Sequence, residues 1–309
     1  MINFRFHLIS LIAVFLALAI GVVMGSAVID RVIVDGLRSR IDTVERNADA
    51  RRDENDRLKA DAARTGDYID ATAPYAVTNR LTGVPAVVLA WRGTDDSVVR
   101  NQIALMATAG AKAAGVLWLE GTWDLADTRA ADLAAAIGIT GTDPDALRKE
   151  AVARIAARLS GAGPGDVVEK LVDAGFVTFE PIGDTAAAAT PAQYAPPGAS
   201  VEVIIGSSAV PAATATFPIL VKGLADARVP TVVAESYKEA GKKGPARGAL
   251  IAPVRDDAQI APRVSTVDNV DTVQGRVAAV LALAAAPSGR IGKYGVGPGT
   301  RPVPEWTQP

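Results

Sequence analysis

The chain has no cysteine, so no disulfide can staple it and no thiolate can hold a soft metal. Histidine is almost as scarce. His7 is the single one, so a serine or threonine later in the chain has no imidazole base to activate it. The methionines are only Met1, Met24 and Met106. Charge of one sign is missing too: the formal net charge is -2, which removes the electrostatic case for a nucleic-acid partner. Aromatic residues are few, at 5%, but apolar residues reach 49% of the 309 positions. That is ample for a core and for about two domains.

What is present begins with one long apolar run. Leu8 to Ile29 carries no charge. At ~1.5 Å per residue it reaches ~33 Å, enough to cross a hydrocarbon layer of ~30 Å. A cleaved signal peptide needs a core of only ~7–15 residues and a small-x-small site. Gly25-Ser26-Ala27 loosely supplies the site, but the run is too long and only Arg5 precedes it as a basic residue. A transmembrane signal anchor over residues 1–29 is expected. Lys and Arg counts do not orient it, because Arg31, Arg38 and Arg40 downstream outnumber Arg5 upstream. Ala13, Ala17, Gly21 and Gly25 recur every four residues, and small residues on one face let two membrane helices approach closely.

A second pattern follows over residues 30–73. Val34, Leu37, Ile41, Val44, Ala48, Arg51, Asn55, Leu58, Ala62, Thr65 and Ile69 are spaced alternately three and four apart, which is the a/d seam of a coiled coil. With Val34 at a, Arg40 and Glu54 fall at g, and Glu45 and Lys59 at the following e positions. In a parallel pair these face each other with opposite sign. Asn55 at a favours a dimer in fixed register. Arg51 at d and Ala48 at a weaken the middle of the seam. The expectation is a stalk pairing two copies, with Val34, Leu37, Ile41, Val44, Ala48, Asn55, Leu58, Ala62 and Ile69 at the interface. The competing arrangement is a solvated helix lying on its own domain. Gly66 and Pro74 are expected to end the helix.

From residue 84 the pattern changes to short apolar runs alternating with helical segments. Ala86–Trp91, Gly115–Glu120, Val177–Phe179, Val201–Ile205, Pro230–Glu235 and Ala249–Ala252 are expected strands. Helices are expected from Asp95 to about Ala111, over Ala126–Ile137, from the Asp143-Pro144 start to Leu159, from Asp166 to Ala174, from about Thr214 to Ala227, and over Thr272–Ala285. Gly183 to Ser200 is expected to be a loop or linker, and residues 286–309 an irregular tail. Apolar strands without polar alternation, separated by helices, point to an α/β fold: a largely parallel, three-layer domain over 84–285. Its halves, 84–182 and 200–285, form either one sheet or two lobes.

In such sheets ligands bind beyond the carboxyl ends of the strands. The polar residues there are Arg92, Asp95, Glu120, Asp124, Ser207, Ser208, Glu235 and Ser236. Glu120 and Glu235 would form a carboxylate pair if they met, but capping of helices and turns is the simpler role. Gly206-Ser207-Ser208 is not a nucleophile elbow. Gly295-Val296-Gly297-Pro298-Gly299 has no helix after it and does not fit a dinucleotide turn. No catalytic residue, metal ligand or cofactor is assigned.

The N-terminal Phe6-His7-Leu8-Ile9-Ser10-Leu11, the run from Ala13 to Ser26, and the late segment Val267-Asp268-Asn269-Val270-Asp271-Thr272-Val273-Gln274-Gly275-Arg276 resemble the actinobacterial MctB/SteB family, commonly labelled copper transporter. The resemblance covers the whole chain. It implies an envelope protein anchored by its N-terminal helix in the inner membrane, with the globular part outside the cytoplasm. It also implies one of two functions: copper efflux through an outer-membrane channel, or pairing with a SteA-like membrane partner in cell separation. Cu(I) prefers thiolate and thioether ligands, which this chain nearly lacks. The expectation is therefore a non-enzymatic, homodimeric scaffold or adaptor, with copper entering only as the cargo of the alternative.

Overall fold

Ala86–Trp91, Gly115–Leu119, Ser200–Gly206 and Thr231–Ser236 are runs in which every residue is buried. A strand points alternate side chains to opposite faces, so runs of this kind need cover on both. The computed structural model describes residues 4–112, 115–126, 128–163, 166–182, 190–206, 211–237 and 246–305, with the side chains of 26–35, 192 and 211–214 outside that set. It divides into two units, Met1–Asp67 and Tyr68–Pro309.

The described residues of the first unit are helix. α1 (Phe4–Val77) is 74 residues long and also supplies the first residues of the second unit. Its segment Phe4–Gly25 has a mean hydropathy of 2.8 and no buried residue. Beyond it, Arg52–Asp49, Arg57–Glu54, Lys59–Asp56 and Arg64–Asp61 form ion pairs three residues apart along the helix, which support an exposed helix locally.

The second unit holds one seven-stranded sheet: β1 (Ala86–Trp91), β2 (Gly115–Leu119), β3 (Val177–Pro181), β4 (Ser200–Gly206), β5 (Thr231–Ser236), β6 (Val264–Val267) and β7 (Lys293–Tyr294). The order is β3-β2-β1-β4-β5-β6-β7. Every pairing is parallel except β2 with β3. The halves 84–182 and 200–285 thus share one sheet, joined where Val88 pairs with Glu202.

The chain winds outward from β1 in both directions, which puts helices on both faces. α3 (Arg129–Ile137), α4 (Pro144–Ser160), α5 (Val167–Asp173) and α7 (Pro211–Asp226) bring core residues to one face, against Val87, Leu89, Trp91, Val201 and Val203. α2 (Asp96–Thr108), α9 (Val273–Ala285) and the end of α1 cover the other, against Val88, Ala90, Trp118 and Ile204. Asp95 and Asp143 cap their helices as the sequence predicts, and Thr272, expected inside its helix, caps it instead; each side chain accepts from a backbone N–H of the first turn.

Four expectations are corrected. Gly66 and Pro74 do not end the helix, which continues to Val77. A proline forfeits one backbone hydrogen bond, and here Ala73, Val77 and the following Leu81 are buried in the core, which offsets that loss. Ala249–Ala252 is not a strand. The chain turns there and enters α8 (Ala252–Asp256), with Pro253 in its first turn. The N–H groups of Gly248 and Leu250 bind the Glu235 carboxylate at 2.7 and 3.0 Å and are not available to a ladder. The next strand is β6 instead.

The stretch 183–200 is not all loop. Residues 183–189 lie outside the described residues. After them, Thr190 and Gln193 form a capping box for α6 (Pro191–Tyr194), and the buried Tyr194 hydroxyl accepts from Val88 N at 2.9 Å. The tail is not all irregular either. β7 pairs with β6, Tyr294 is buried, and Gly295 N donates to Arg301 O at 2.8 Å.

Candidate functional site

The strand-end residues named from sequence are engaged in holding turns. Arg92 donates to Glu120 at 2.9 Å and lies over the Trp118 ring at 4.5 Å. Asp95 accepts from the backbone and hydroxyl of Ser97 at 2.9 and 2.6 Å. Asp124 accepts from Ala126 N at 3.0 Å. Ser236 is buried at the end of β5. Ser207 and Ser208 lie outside the described residues. Glu120 and Glu235 do not meet: β1 and β4 stand between their strands, about 14 Å in all at ~4.8 Å per strand.

A denser cluster lies on the β5–β7 side, and sequence reasoning missed it. Glu235 is buried, and burial raises its pKa against the pull of the N–H groups of Gly248, Leu250 and Ile251. Asp268 is fully buried. It accepts from Val296 N at 2.9 Å and Gly297 N at 3.2 Å, and pairs with Arg255 at 3.1 Å. Arg255 also binds Thr266 Oγ1 at 2.9 Å and Tyr294 O at 3.1 Å. Arg247 pairs with Asp271 at 2.8 Å, donates to Asp268 O at 3.0 Å and stacks on Tyr237 at 4.4 Å. The glycines of the tail now have a reason. A Cβ on Gly295 would sit 2.0 Å from Asp268 Oδ1, and one on Gly297 would sit 2.7 Å from Oδ2. The signal was the pair of runs Asp268-Asn269-Val270-Asp271 and Gly295-Val296-Gly297, which only the fold brings together.

One carboxyl group sits apart. Glu202 on β4 is fully buried under α2, and Gln102 Nε2 donates to it at 2.7 Å. Burial pushes its pKa up to about 7, with the Gln102 hydrogen bond opposing. Among the described residues its other oxygen and Gln102 Oε1 have no hydrogen-bond partner.

A different surface is open. Leu37, Ile41, Val44 and Leu58 on α1 are about half to two-thirds exposed, at 57%, 47%, 66% and 54%. Asn55 and Ala62 are exposed with them, and Ala48 and Ile69 are half-buried. The Val34 side chain lies outside the described residues. Glu54 and Lys59, expected to bridge two copies, hold Arg57 and Asp56 within this chain. In the anchor, Ala13, Ala17, Gly21 and Gly25 are exposed, and the two glycines face open space. Among the described residues no three His, Asp or Glu side chains gather as metal ligands would.

The family model described as "Copper transport outer membrane protein, MctB" matches residues 1–304. The chain is 26% identical, over 328 residues, to "Copper transporter MctB" of Mycobacterium tuberculosis (strain ATCC 25618 / H37Rv), covering 98% of this chain and 99% of that protein. It is also 26% identical, over 333 residues and the same shares, to the protein of that name in Mycobacterium leprae (strain TN). The matched name is that of a transport protein of the envelope, not of an enzyme, and the apolar segment of α1 fits a membrane anchor. The anchor, the helix that follows it and the α/β domain all fall within the match: this chain belongs to the MctB family.

Proposed function

We propose that the chain is a dimeric, non-enzymatic scaffold of the cell envelope. In this reading its N-terminal helix sits in the inner membrane and its α/β domain lies outside the cytoplasm. The observation that carries it is the exposed seam of Leu37, Ile41, Val44 and Leu58. Large apolar side chains spaced three and four apart gain by burial between two helices, at ~25 cal/mol per Å² of apolar surface removed from water. A membrane anchor holds two copies in one direction, which favours a parallel pair. The pair would display two α/β domains to a SteA-like membrane partner, the partner class implied by the family resemblance. The carboxylates and arginines at the carboxyl edge of the sheet are turned inward on one another, which suits a rigid display surface.

Copper traffic is the second reading, favoured by the family description. Copper would then be cargo. Cu(I) takes soft ligands, and the soft donors here are few: Met106 is fully buried, and Met24 lies with His7 on the anchor segment. A pore would need several chains, since one span encloses nothing.

Depletion in the native host, in copper-limited and copper-loaded medium, separates the two. A defect in cell separation that ignores copper supports the scaffold. Normal division with copper-dependent death overturns it in favour of transport.

A further inference from the structure

We infer that the paired stalk carries an oxyanion-binding layer at Arg51, an inference that rests on the dimer proposed above. In the heptad register Arg51 takes a d position, so in a parallel pair it faces Arg51 of the second copy. Two guanidinium groups then share one layer of a seam whose other positions are apolar apart from Asn55 and Thr65. A charge drawn out of water is costly unless it is paired, and two of one sign are more so. The acids nearby do not relieve it. Glu54, one turn on, has both carboxylate oxygens bound by Arg57, at 2.9 and 2.7 Å. Asp49 is held by Arg52 at 3.1 Å. Among the described residues Arg51 itself has no ion-pair or hydrogen-bond partner.

The layer also has room. Ala48 precedes it in the seam and Asn55 follows, and neither fills the space a leucine would. Asn47, Ala50, Arg51, Glu54, Asn55 and Leu58 line an open hollow on the helix. Two copies bring together two Arg51 forks and two Asn55 amides, all able to donate. That matches a tetrahedral oxyanion, which takes bidentate guanidinium bonds. The anion comes from the aqueous phase and not from a lipid headgroup. Arg51 stands ~39 Å along the helix from Gly25 at 1.5 Å per residue, beyond the interfacial layer of a bilayer ~40–45 Å thick in total. The device makes stalk pairing depend on an oxyanion: the apolar layers drive association and the anion neutralises the layer that opposes it.

The test uses the full chain in a phosphate-free maltoside detergent. Sedimentation reads the dimer dissociation constant as sodium phosphate replaces sodium chloride at constant ionic strength. Phosphate should tighten the dimer about tenfold, the scale of a charge-assisted contact. R51L should pair more tightly in chloride and ignore phosphate. A wild-type dimer indifferent to phosphate overturns the anion layer and leaves the dimer standing. A phosphate effect that persists in R51L places the anion elsewhere and overturns it too. A monomer under every condition overturns the dimer and the layer together.

Discussion

Two sets of leucine, isoleucine and valine in this chain meet opposite fates. In β1 they are sealed, with Val87 and Val88 at 0% exposure. In α1, Ile41 and Val44 keep 47% and 66% of their surface. The side chains are of one kind: in the strand they form an unbroken apolar run, and in the helix they are spaced three and four apart. The difference is whether the same chain supplies the cover. Each face of the sheet meets helices within a few dozen residues of sequence, whereas the described residues leave the stalk seam exposed, and in the reading proposed above a second copy covers it. The proposed dimer treats this exposed, regular apolar stripe as its docking surface.

That comparison can be broken. Changing Leu37, Ile41 and Val44 together to Asp should convert the full chain in detergent from dimer to monomer, read by light scattering, while the melting of the α/β domain stays put. An unchanged mass would mean the seam is not an interface. The largest effect on the other side should come from Trp123→Ala. Trp123 packs edge-on against Phe176 at 5.6 Å and donates to its carbonyl at 2.9 Å. Its loss should cost about 3–5 kcal/mol in the domain's unfolding, with pairing unaffected. A loss under 1 kcal/mol would show this part of the core to be loosely packed.

Glu202 sharpens the contrast through pH. Burial raises its pKa in the folded domain from the ordinary 4.5 to about 7. The folded state therefore holds its proton at pH values where the unfolded chain has lost it. Stability is fully present below about pH 4.5 and falls as pH rises to about 7, by roughly 3 kcal/mol in total. Glu202→Gln should flatten that slope, measured by urea unfolding across the window. An equal slope in the variant would assign the pH dependence to other groups. The smallest effect is on the stalk side. Gly66 lies within α1 and a Cβ there meets nothing within 4 Å. Gly66→Ala should stabilise the helix by about 0.5–1 kcal/mol, seen as slower amide exchange around it.

Much of the fold was legible from residues alone. Ala86–Trp91 and Val201–Ile205 are long enough and apolar enough to declare themselves, and Asp95 and Asp143 announced their helices. The failures have a shared cause. β6 is four residues long and β7 only two, and strands so short carry no period to detect. Tyr194 looked like part of a loop because its anchoring hydrogen bond reaches back to Val88, on a strand distant in sequence. The Asp268 cluster was invisible for the same reason: its donors come from α8 and the tail. The strand-end residues were visible, but their partners were not, so Glu120 and Glu235 could not be told apart from a catalytic pair.

The sequence by itself determined the apolar anchor segment, the heptad seam, the alternation of strands and helices, and the scarcity of soft donors. Each is local, set by composition or by a period within a few turns of chain. Only the tertiary structure decided that both halves build one sheet, that the helix passes through Pro74 into the core, and that the tail closes over Asp268. Those outcomes depend on backbone N–H groups and buried carboxylates finding partners far away in the chain. Such pairings leave no pattern in the sequence around either partner.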